Sequence, residues 1–435
     1  MGITHLCFAD DLLLFARGDE SSIRLLHDKF SLFSEASGLK ANLAKSQVYF
    51  GGVDDNTKAT ILSILGYEIG ELPFKYLGLP LSTKRLTILQ CKPLVNKITA
   101  RITTWMAKCL SYAGRLQFVK AMLFGVQAYW SQLFFMPKKI IKMVEAVCRS
   151  YMWSGEATIA KKAIIAWDKV CLPKNAGGMN LLNLRIWNQV AICKLLWALS
   201  QKKDRLWITW IYTCYIKNQD IHTMDSPKQA AWMIRKIIHM RKHWQELGNI
   251  DSLIIGGKFH LATAYKRLRG AVENVAWNKL ICYNIAEPKH NFILWVNLHG
   301  KLRTKDMLIK WGLSVDPLCV FCNSTMETQE HLFFDCPFTK GIWQSMLNWQ
   351  QWDRRIQTWS VEWGRVQTEI TWKRPRKVIL RASLATVVYS IWIERNKRIF
   401  QHKITPRQNM VHQMKLSLCT RVRRNQRLFS YINSL

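Results

Sequence analysis

Four residues in one short segment have the types and the spacing of a metal site. The segment CVFCNSTMETQEHLFFDC contains Cys319, Cys322, His331 and Cys336 in the arrangement C-x2-C-x8-H-x4-C. Two Cys that are two residues apart fit one edge of a zinc tetrahedron, and the later His and Cys can close it. Four protein ligands leave no position for water, so we expect a structural Zn²⁺. The alternatives are a buried Cys pair with an unrelated His, or a redox Cys-x-x-Cys, which would not need the His and the third Cys.

Two adjacent carboxylates near the start of the chain form a second candidate site. The stretch HLCFADDLLLFA places Asp10 and Asp11 between two apolar runs, a pattern that predicts a strand, a tight turn and a strand. Carboxylates on a hairpin tip can hold a hard cation such as Mg²⁺, which neutralises charge in phosphoryl transfer. Two-metal chemistry needs a further carboxylate from another strand. The alternative is a pair of solvated turn residues.

The charge of the chain indicates the kind of partner. Sixty-three Lys and Arg face 29 Asp and Glu, a net charge of +34. Such a field favours RNA or DNA, because each phosphate contact releases condensed counterions. The alternative is a basic surface that only keeps the protein in solution. The stretch 373–435 is strongly basic, and Glu394 is its only acidic residue.

The apolar residues give no sign of a membrane or of secretion. No run of 18 or more apolar residues occurs, and the first residues lack the pattern of a signal peptide. We therefore expect a nuclear or cytoplasmic protein. The 12 Cys are then better explained by free thiols and one metal site than by disulfides.

The elements that would position these sites follow from periodicity. After the Asp pair, Ile23, Leu26, Phe30 and Phe33 recur at helical spacing, and Gly38 suits a helix end. Beyond about residue 86 the chain reads as helical, with a Gly-rich break at 171–184. Most of the 20 Trp are expected in the core. The predicted fold class is α+β, mostly α-helical.

The front of the chain resembles the reverse transcriptases of plant-type non-LTR (LINE-like) retrotransposons. FADD resembles their active-site hairpin, SGLKANLAKS the next motif, and FKYLGLPL the primer-grip hairpin. The resemblance implies that Asp10 is a magnesium ligand, if the chain is polymerase-competent, that Asp11 supports it, and that Lys45 lies near the incoming nucleotide. It also implies nucleic-acid contacts by the primer-grip residues and by Arg of the thumb and tail: Phe74, Lys75, Tyr76, Leu77, Gly78, Arg115, Arg421, Arg423 and Arg424.

Later segments continue this resemblance in the same order. SYAGRLQFVKAML and WDKVCLPKNAGGMNLLNL resemble the helical thumb and the connector. The Cys/His segment, preceded by FHLATAY and followed by Ile342 and Trp343, resembles the zinc-binding domain that follows the reverse transcriptase in such elements. IWIERNKRIF matches the family's C-terminal run. The implied domains are a palm remnant at 1–85, a thumb at 86–160, a Trp-rich connector at 161–250, the zinc-binding domain at 251–345 and a basic tail at 346–435.

One departure from the family governs the expected function. The first catalytic Asp of the family and the fingers lie upstream of the hairpin, and this sequence does not contain them. We therefore expect a truncated reverse transcriptase that retains nucleic-acid binding and a structural zinc but does not polymerise alone. Two alternatives stay open. One is an active RNA-directed DNA polymerase whose palm and fingers come from another chain or whose gene model starts too late. The other is a repurposed nucleic-acid-binding or interaction module.

Overall fold

The computed structural model describes most of the chain. The described residues are 2–8, 11–76, 78–82, 84–104, 110–160, 163–203, 205–282, 284–358, 361–362, 364–365, 374–423 and 425–435. Three residues with a predicted role, Asp10, Leu77 and Arg424, lie outside these ranges. In the described part, no helix is both long enough and apolar enough to cross a membrane.

Short strands form only two-stranded sheets in the described part of the chain. The pairs are His5–Phe8 with Asp11–Leu14, Gln47–Val48 with Glu68–Ile69, Phe74–Tyr76 with Leu79–Leu81, and Ile254–Ile255 with Lys258–Phe259. The second pair is parallel and the other three are antiparallel. With the helices below, these strands confirm the coarse prediction of a mostly helical chain with few strands. The finer assignment to palm and thumb stays a prediction.

Helices make up most of the described residues. Those of the first half are Glu20–Ser37, Asp55–Leu65, Ile88–Thr104, Tyr112–Ala128, Trp130–Leu133, Lys138–Ser154, Trp167–Cys171, Leu184–Ser200 and Leu206–Ile211. Those of the second half are Trp232–His239, Arg241–Leu247, Leu261–Arg269, Asn278–Ile281, Pro288–Leu298, Lys305–Lys310, Pro337–Trp349, Pro375–Gln401, Arg407–Val422 and Gln426–Asn433.

The first helix shows how the local sequence sets its ends. The Asp19 side chain accepts a hydrogen bond from the Ser22 backbone N–H and so caps the N-terminus. Gly38 ends the helix with a φ of 72°, a left-handed conformation that glycine adopts without strain. Hydrogen bonds lower the pKa of the Asp19 carboxyl. The largest contribution comes from the Ser21 side chain, and Ser22 contributes next. The helix predicted between these residues is therefore confirmed.

The chain divides into two compact units, each built from several segments. The first unit contains Met1–Pro93, Trp130–Pro137 and Asn188–Leu268. In it, the buried Asn188 bonds to the segment Trp130–Pro137. Its Nδ2 donates to the Ser131 carbonyl (2.8 Å) and its Oδ1 accepts from the Met136 N–H (2.9 Å). A buried amide with partners on both its atoms avoids the cost of an unpaired polar group.

The second unit contains Leu94–Tyr129, Lys138–Trp187 and Arg269–Leu435. Its core includes Trp295, which is fully buried and stacks on Trp153 with ring centroids 6.5 Å apart. The helix Pro288–Leu298, which carries Trp295, packs against the long helix Pro375–Gln401. The five consecutive domains predicted from the sequence stay a prediction, because these units follow contacts and not chain order.

The predicted Gly-rich break has a clear physical reason. Gly177 has a φ of 82°, and its carbonyl accepts hydrogen bonds from Trp295 Nε1 (2.7 Å) and His299 Nε2 (2.9 Å). At Gly178 a Cβ atom would lie 1.9 Å from the Leu172 carbonyl oxygen, so a side chain cannot be placed there. The helical pattern is therefore interrupted at a point where two backbone segments approach each other closely.

Candidate metal centre

Cys319 and Cys322 lie in a tight loop that its own backbone closes. The Cys319 N–H donates to the Thr325 carbonyl and the Asn323 N–H donates to the Cys319 carbonyl, both at 2.8 Å. Asn323 has a φ of 49°, in the left-handed region that Asn tolerates better than most residues. The two thiols are therefore fixed in one turn by hydrogen bonds of the main chain.

His331 and Cys336 are held by the next turn of the chain. His331 begins the short π-helical turn His331–Asp335, and its N–H donates to Thr328 Oγ1 at 3.1 Å. The Cys336 N–H donates to the His331 carbonyl at 2.8 Å. Directly after Cys336, the helix Pro337–Trp349 begins with a Pro, which suits a first helical position because it has no N–H to satisfy. The helix start thus fixes the last thiol.

The four side chains converge on one point. The Sγ atoms of the three Cys and a ring nitrogen of His331 all lie within 4.8 Å of one another. Cys322 Sγ is 3.3 Å from His331 Nε2. Zn–S bonds of about 2.3 Å at tetrahedral angles would place two sulfurs about 3.8 Å apart. Cys319 and Cys336 are buried and Cys322 is half-buried. The donor set and its spacing therefore fit a closed four-coordinate zinc centre.

The thiols influence one another's protonation. The hydrogen bond with Cys336, together with burial, raises the pKa of the Cys319 thiol. The same hydrogen bond lowers the pKa of Cys336 and outweighs the effect of burial. Burial alone would raise the pKa of Cys322, but hydrogen bonds with Ser324 and His331 lower it overall. The pKa of two of the thiols is thus shifted towards the thiolate, which is the form that binds metal.

A buried ion pair ties the segment between the Cys pair and the His to a distant helix. Glu327 and Arg395 are almost completely buried. Glu327 Oε1 accepts from Arg395 Nη2 at 2.7 Å, from Arg395 Nε at 3.1 Å and from the Lys305 backbone N–H at 3.0 Å. Arg395 lies in the long helix Pro375–Gln401. The position of the loop therefore depends on a helix that lies beyond the Cys/His segment in the sequence.

Two aromatic rings beside the cluster contact the same helix. The rings of Phe321 and Phe338 stack, with centroids 5.0 Å apart. The Arg398 guanidinium lies 4.7 Å from each ring centroid and is also paired with Glu394 at 3.0 Å. A cation over two ring faces contributes about 1 kcal/mol or more when it is shielded from water. The tail segment IWIERNKRIF thus supplies both contacts to the loop, through Arg395 and Arg398.

The two strands predicted beside the acidic pair are present. His5–Phe8 and Asp11–Leu14 pair in an antiparallel register that sets Phe8 opposite Asp11. Asp11 is exposed, and Asp10 lies outside the described residues. Among the described residues, Asp11 does not belong to a group of three or more ligating side chains. The magnesium role of this pair stays a prediction.

The other residues assigned by the resemblance occupy varied surroundings. Lys45 is exposed at the end of the 3-10 turn Leu43–Lys45. Phe74 is half-buried against the ring of Tyr49, with centroids 4.8 Å apart. Lys75 and Tyr76 belong to the same strand, and Gly78 makes the following turn with a φ of 76°. The structure thus gives a hairpin for FKYLGLPL, and its contact with nucleic acid stays a prediction.

The predicted Arg contacts differ in how accessible they are. The half-buried Arg115 guanidinium lies over the Tyr112 ring, 5.3 Å from its centroid, and beside Gly155. Arg421 is exposed, although its Nε donates to the Ile285 carbonyl at 2.8 Å. Arg423 is also exposed. The two tail residues are therefore more accessible to a phosphate than Arg115, and the role of all three stays a prediction.

Comparison with known proteins agrees with this site. Residues 259–343 match the protein family described as zinc-binding in reverse transcriptase. A protein of Arabidopsis thaliana, provisionally named a ribonuclease H protein, is 30% identical over 158 residues, which cover 36% of this chain and 24% of that relative. The chain thus spans less than a quarter of the relative's length.

These matches confirm the resemblance to reverse-transcriptase proteins with a zinc-binding domain, and the plant-type non-LTR assignment stays a prediction. The chain is related to retrotransposon reverse-transcriptase proteins, and it carries their zinc-binding domain. The Cys/His cluster lies within the matched residues.

Sequence reasoning did not find Glu327 and Arg395. They are 68 residues apart, and a local charge pattern cannot pair side chains at that separation. Arg395 stands in a basic helix close to Lys397 and Arg398, which are more exposed, and the sequence does not distinguish it from them.

Proposed function

We propose that this chain is a reverse-transcriptase-derived protein that binds nucleic acid and is stabilised by a zinc ion on Cys319, Cys322, His331 and Cys336. The observation that carries the metal assignment is the convergence of these four donors inside the matched zinc-binding domain. Bound there, Zn²⁺ compensates thiolates that would otherwise be buried as charges.

The metal has a structural role in this proposal. Three Cys and one His fill all four positions, so no position is left for a substrate or a water molecule. The ion would join the loop of Cys319 and Cys322 to the start of the helix Pro337–Trp349. A site of this kind stabilises the fold and has no part in catalysis.

Nucleic acid is the partner supported best. The charge of +34 creates a field that attracts a polyanion, and the zinc-binding domain belongs to a family described by its occurrence in reverse transcriptase. RNA and DNA both fit the charge argument. A salt titration of the binding of a labelled strand tests it: affinity should fall steeply as salt rises, because counterions are released on binding. A flat response would count against phosphate contacts.

Binding without polymerisation is the second half of the proposal. Support comes from the exposed Asp11, which in the described part of the chain is not clustered with the further acidic ligands that two Mg²⁺ ions require. Primer extension on an RNA template with Mg²⁺ tests this directly. We expect no incorporation by the purified chain. Incorporation that is lost in Asp10→Ala would show an active polymerase and overturn this part of the proposal.

A further inference from the structure

A cavity of about 330 Å³ in the first unit has a strongly basic lining. It lies along the helix Trp232–His239 and the loop before it. Its lining consists of basic side chains, one indole and one hydroxyl: Ser226, Lys228, Trp232, Arg235, Lys236 and His239. None of these residues is acidic, and the volume is in the range of small-molecule sites. The lining therefore suits an anion with a planar group.

The shape of the cavity is fixed by hydrogen bonds from Arg241. Its guanidinium donates to the carbonyls of His222 and Met224, both at 2.7 Å. Its Nε donates to the Ile238 carbonyl at 3.2 Å. The loop that leads to Ser226 is thus tied to the end of the helix that forms the other wall. Contacts within the protein thus hold the two walls together.

Two cations of the cavity lack an acidic partner among the described residues. Neither Lys228 nor Arg235 belongs to a salt bridge within the described residues. Burial lowers the pKa of His239, and the charges of Lys242 and Lys236 lower it further. Only the part of this shift that comes from the two lysines reflects a local positive potential. An anionic ligand would relieve the repulsion between these cations.

The indole of Trp232 adds a surface for a flat ring. Trp232 is half-buried, and its ring meets the edge of Phe135 with centroids 6.2 Å apart. Lys236 Nζ lies 5.8 Å from both ring centroids. The contact with Phe135 limits the motion of the indole, while part of it stays open to solvent. Bases stack on such side chains in proteins that bind single strands, largely without regard to sequence.

We propose that this cavity binds one nucleotide unit of an unpaired RNA or DNA strand, with its phosphate between Lys228 and Arg235 and its base against Trp232. This inference rests on the proposed function and names where an unpaired strand is held. A free phosphate would use the cations but not the indole. A duplex would offer phosphates, but its bases are stacked on one another and cannot reach Trp232.

The test measures binding of a short labelled single strand to the full chain by fluorescence anisotropy. Lys228→Ala/Arg235→Ala is compared with Lys258→Ala/Lys266→Ala, which removes two exposed cations of the same unit outside the cavity. For the cavity variant, the slope of log affinity against log salt should become shallower by about 0.7, the contribution of the one phosphate that the two cations hold on a single strand. The control variant should keep nearly the slope of the wild type.

Further variants test the base contact. Trp232→Ala should weaken single-strand binding about fivefold or more, the effect of about 1 kcal/mol of stacking, and leave duplex binding unchanged. Trp232→Phe keeps an aromatic face and should retain most of the affinity. Circular dichroism checks that each variant is folded. An unlabelled nucleoside monophosphate should displace the strand far less than an unlabelled strand at equal nucleotide concentration.

The outcomes separate this inference from the proposed function. A wild-type chain that fails to bind a single strand at low salt overturns both. Normal binding with equal losses in the cavity and control variants overturns the inference alone. Loss in Lys228→Ala/Arg235→Ala but none in Trp232→Ala would leave an anion site without a base contact, against the proposal. Equal competition by the monophosphate would assign the cavity to a free nucleotide and also overturn it.

Discussion

Arg395 Nη2 lies 2.7 Å from Glu327 Oε1, and both residues are almost completely buried. This contact joins the loop between the metal-binding residues to a helix that lies beyond the matched domain. The family match therefore marks where the sequence is recognisable, whereas the physical unit that holds the loop extends to the long helix.

Removing one partner of this pair should be strongly destabilising. Glu327→Gln keeps an acceptor for the Lys305 N–H but leaves Arg395 as a buried unpaired charge, which costs about 3–5 kcal/mol. The double variant Glu327→Gln/Arg395→Met should cost much less than the sum of the two single variants. Denaturant unfolding measures both effects.

The control for this prediction is an exposed ion pair. Arg24→Met breaks the pair with Glu20, also 2.7 Å long, and should cost less than about 1 kcal/mol. Equal costs for Arg24→Met and Arg395→Met would show that burial does not determine the strength of the second pair.

The metal centre can be tested by metal content alone. Cys322→Ser should lose zinc, and its zinc-binding domain should unfold at a lower temperature than that of the wild type, because the metal-binding free energy contributes to folding. Cys214→Ser changes an exposed Cys outside the cluster and should keep one equivalent of zinc. Elemental analysis of the purified chains gives the result. A Cys322→Ser chain that keeps one equivalent would show that the proposed ligand set is wrong.

The hydrogen bond of Trp295 should be measurable against a matched tryptophan. Trp295 and Trp343 are both fully buried, but Trp295 Nε1 donates to the Gly177 carbonyl, whereas Trp343 Nε1 has no hydrogen-bond partner among the described residues. The substitution to Phe removes similar volume at both positions. We expect Trp295→Phe to lower the free energy of unfolding by about 1–3 kcal/mol more than Trp343→Phe does. Equal losses would mean that packing alone holds Trp295.

Glu145 should make stability depend on pH. Burial, and then the charge of Asp168, raise the pKa of Glu145 from 4.5 to about 7. The folded state therefore keeps a proton that the unfolded state releases, and stability from this group is complete below pH 4.5 and is lost as pH rises through about 7. Part of the side chain reaches solvent, so we expect a loss of about 2 kcal/mol.

A neutral substitute isolates this effect. Glu145→Gln cannot ionise, so its unfolding free energy should fall less than that of the wild type between pH 5 and pH 7.5. Glu273→Gln, at an exposed position, should follow the wild type. Urea unfolding at the two pH values provides the comparison. Parallel curves for the wild type and Glu145→Gln would contradict the raised pKa.

Sequence reasoning succeeded where the signal is local. The helix that ends at Gly38 was predicted from the spacing of its apolar residues and from the terminal Gly, which are both local features. The Cys/His segment was found for the same reason, since ligands near one another along the chain need only a loop and a helix start to converge.

Sequence reasoning failed where side chains meet across long separations. The division into two interleaved units could not be read from composition, because each unit collects segments from distant parts of the chain. The basic cavity was also not predicted. The wall made by Ser226 and Lys228 depends on the hydrogen bonds of Arg241, which no local pattern indicates.

The approach of Gly178 to the Leu172 carbonyl has a consequence for how this protein can diverge. Even an added methyl group would collide with main-chain atoms, so random mutation at this codon has no acceptable amino-acid replacement unless the backbone moves. Amino-acid substitutions should accumulate faster at surface positions than at this one. Among diverged copies of such a gene, those that have lost this glycine should be the ones whose product no longer folds.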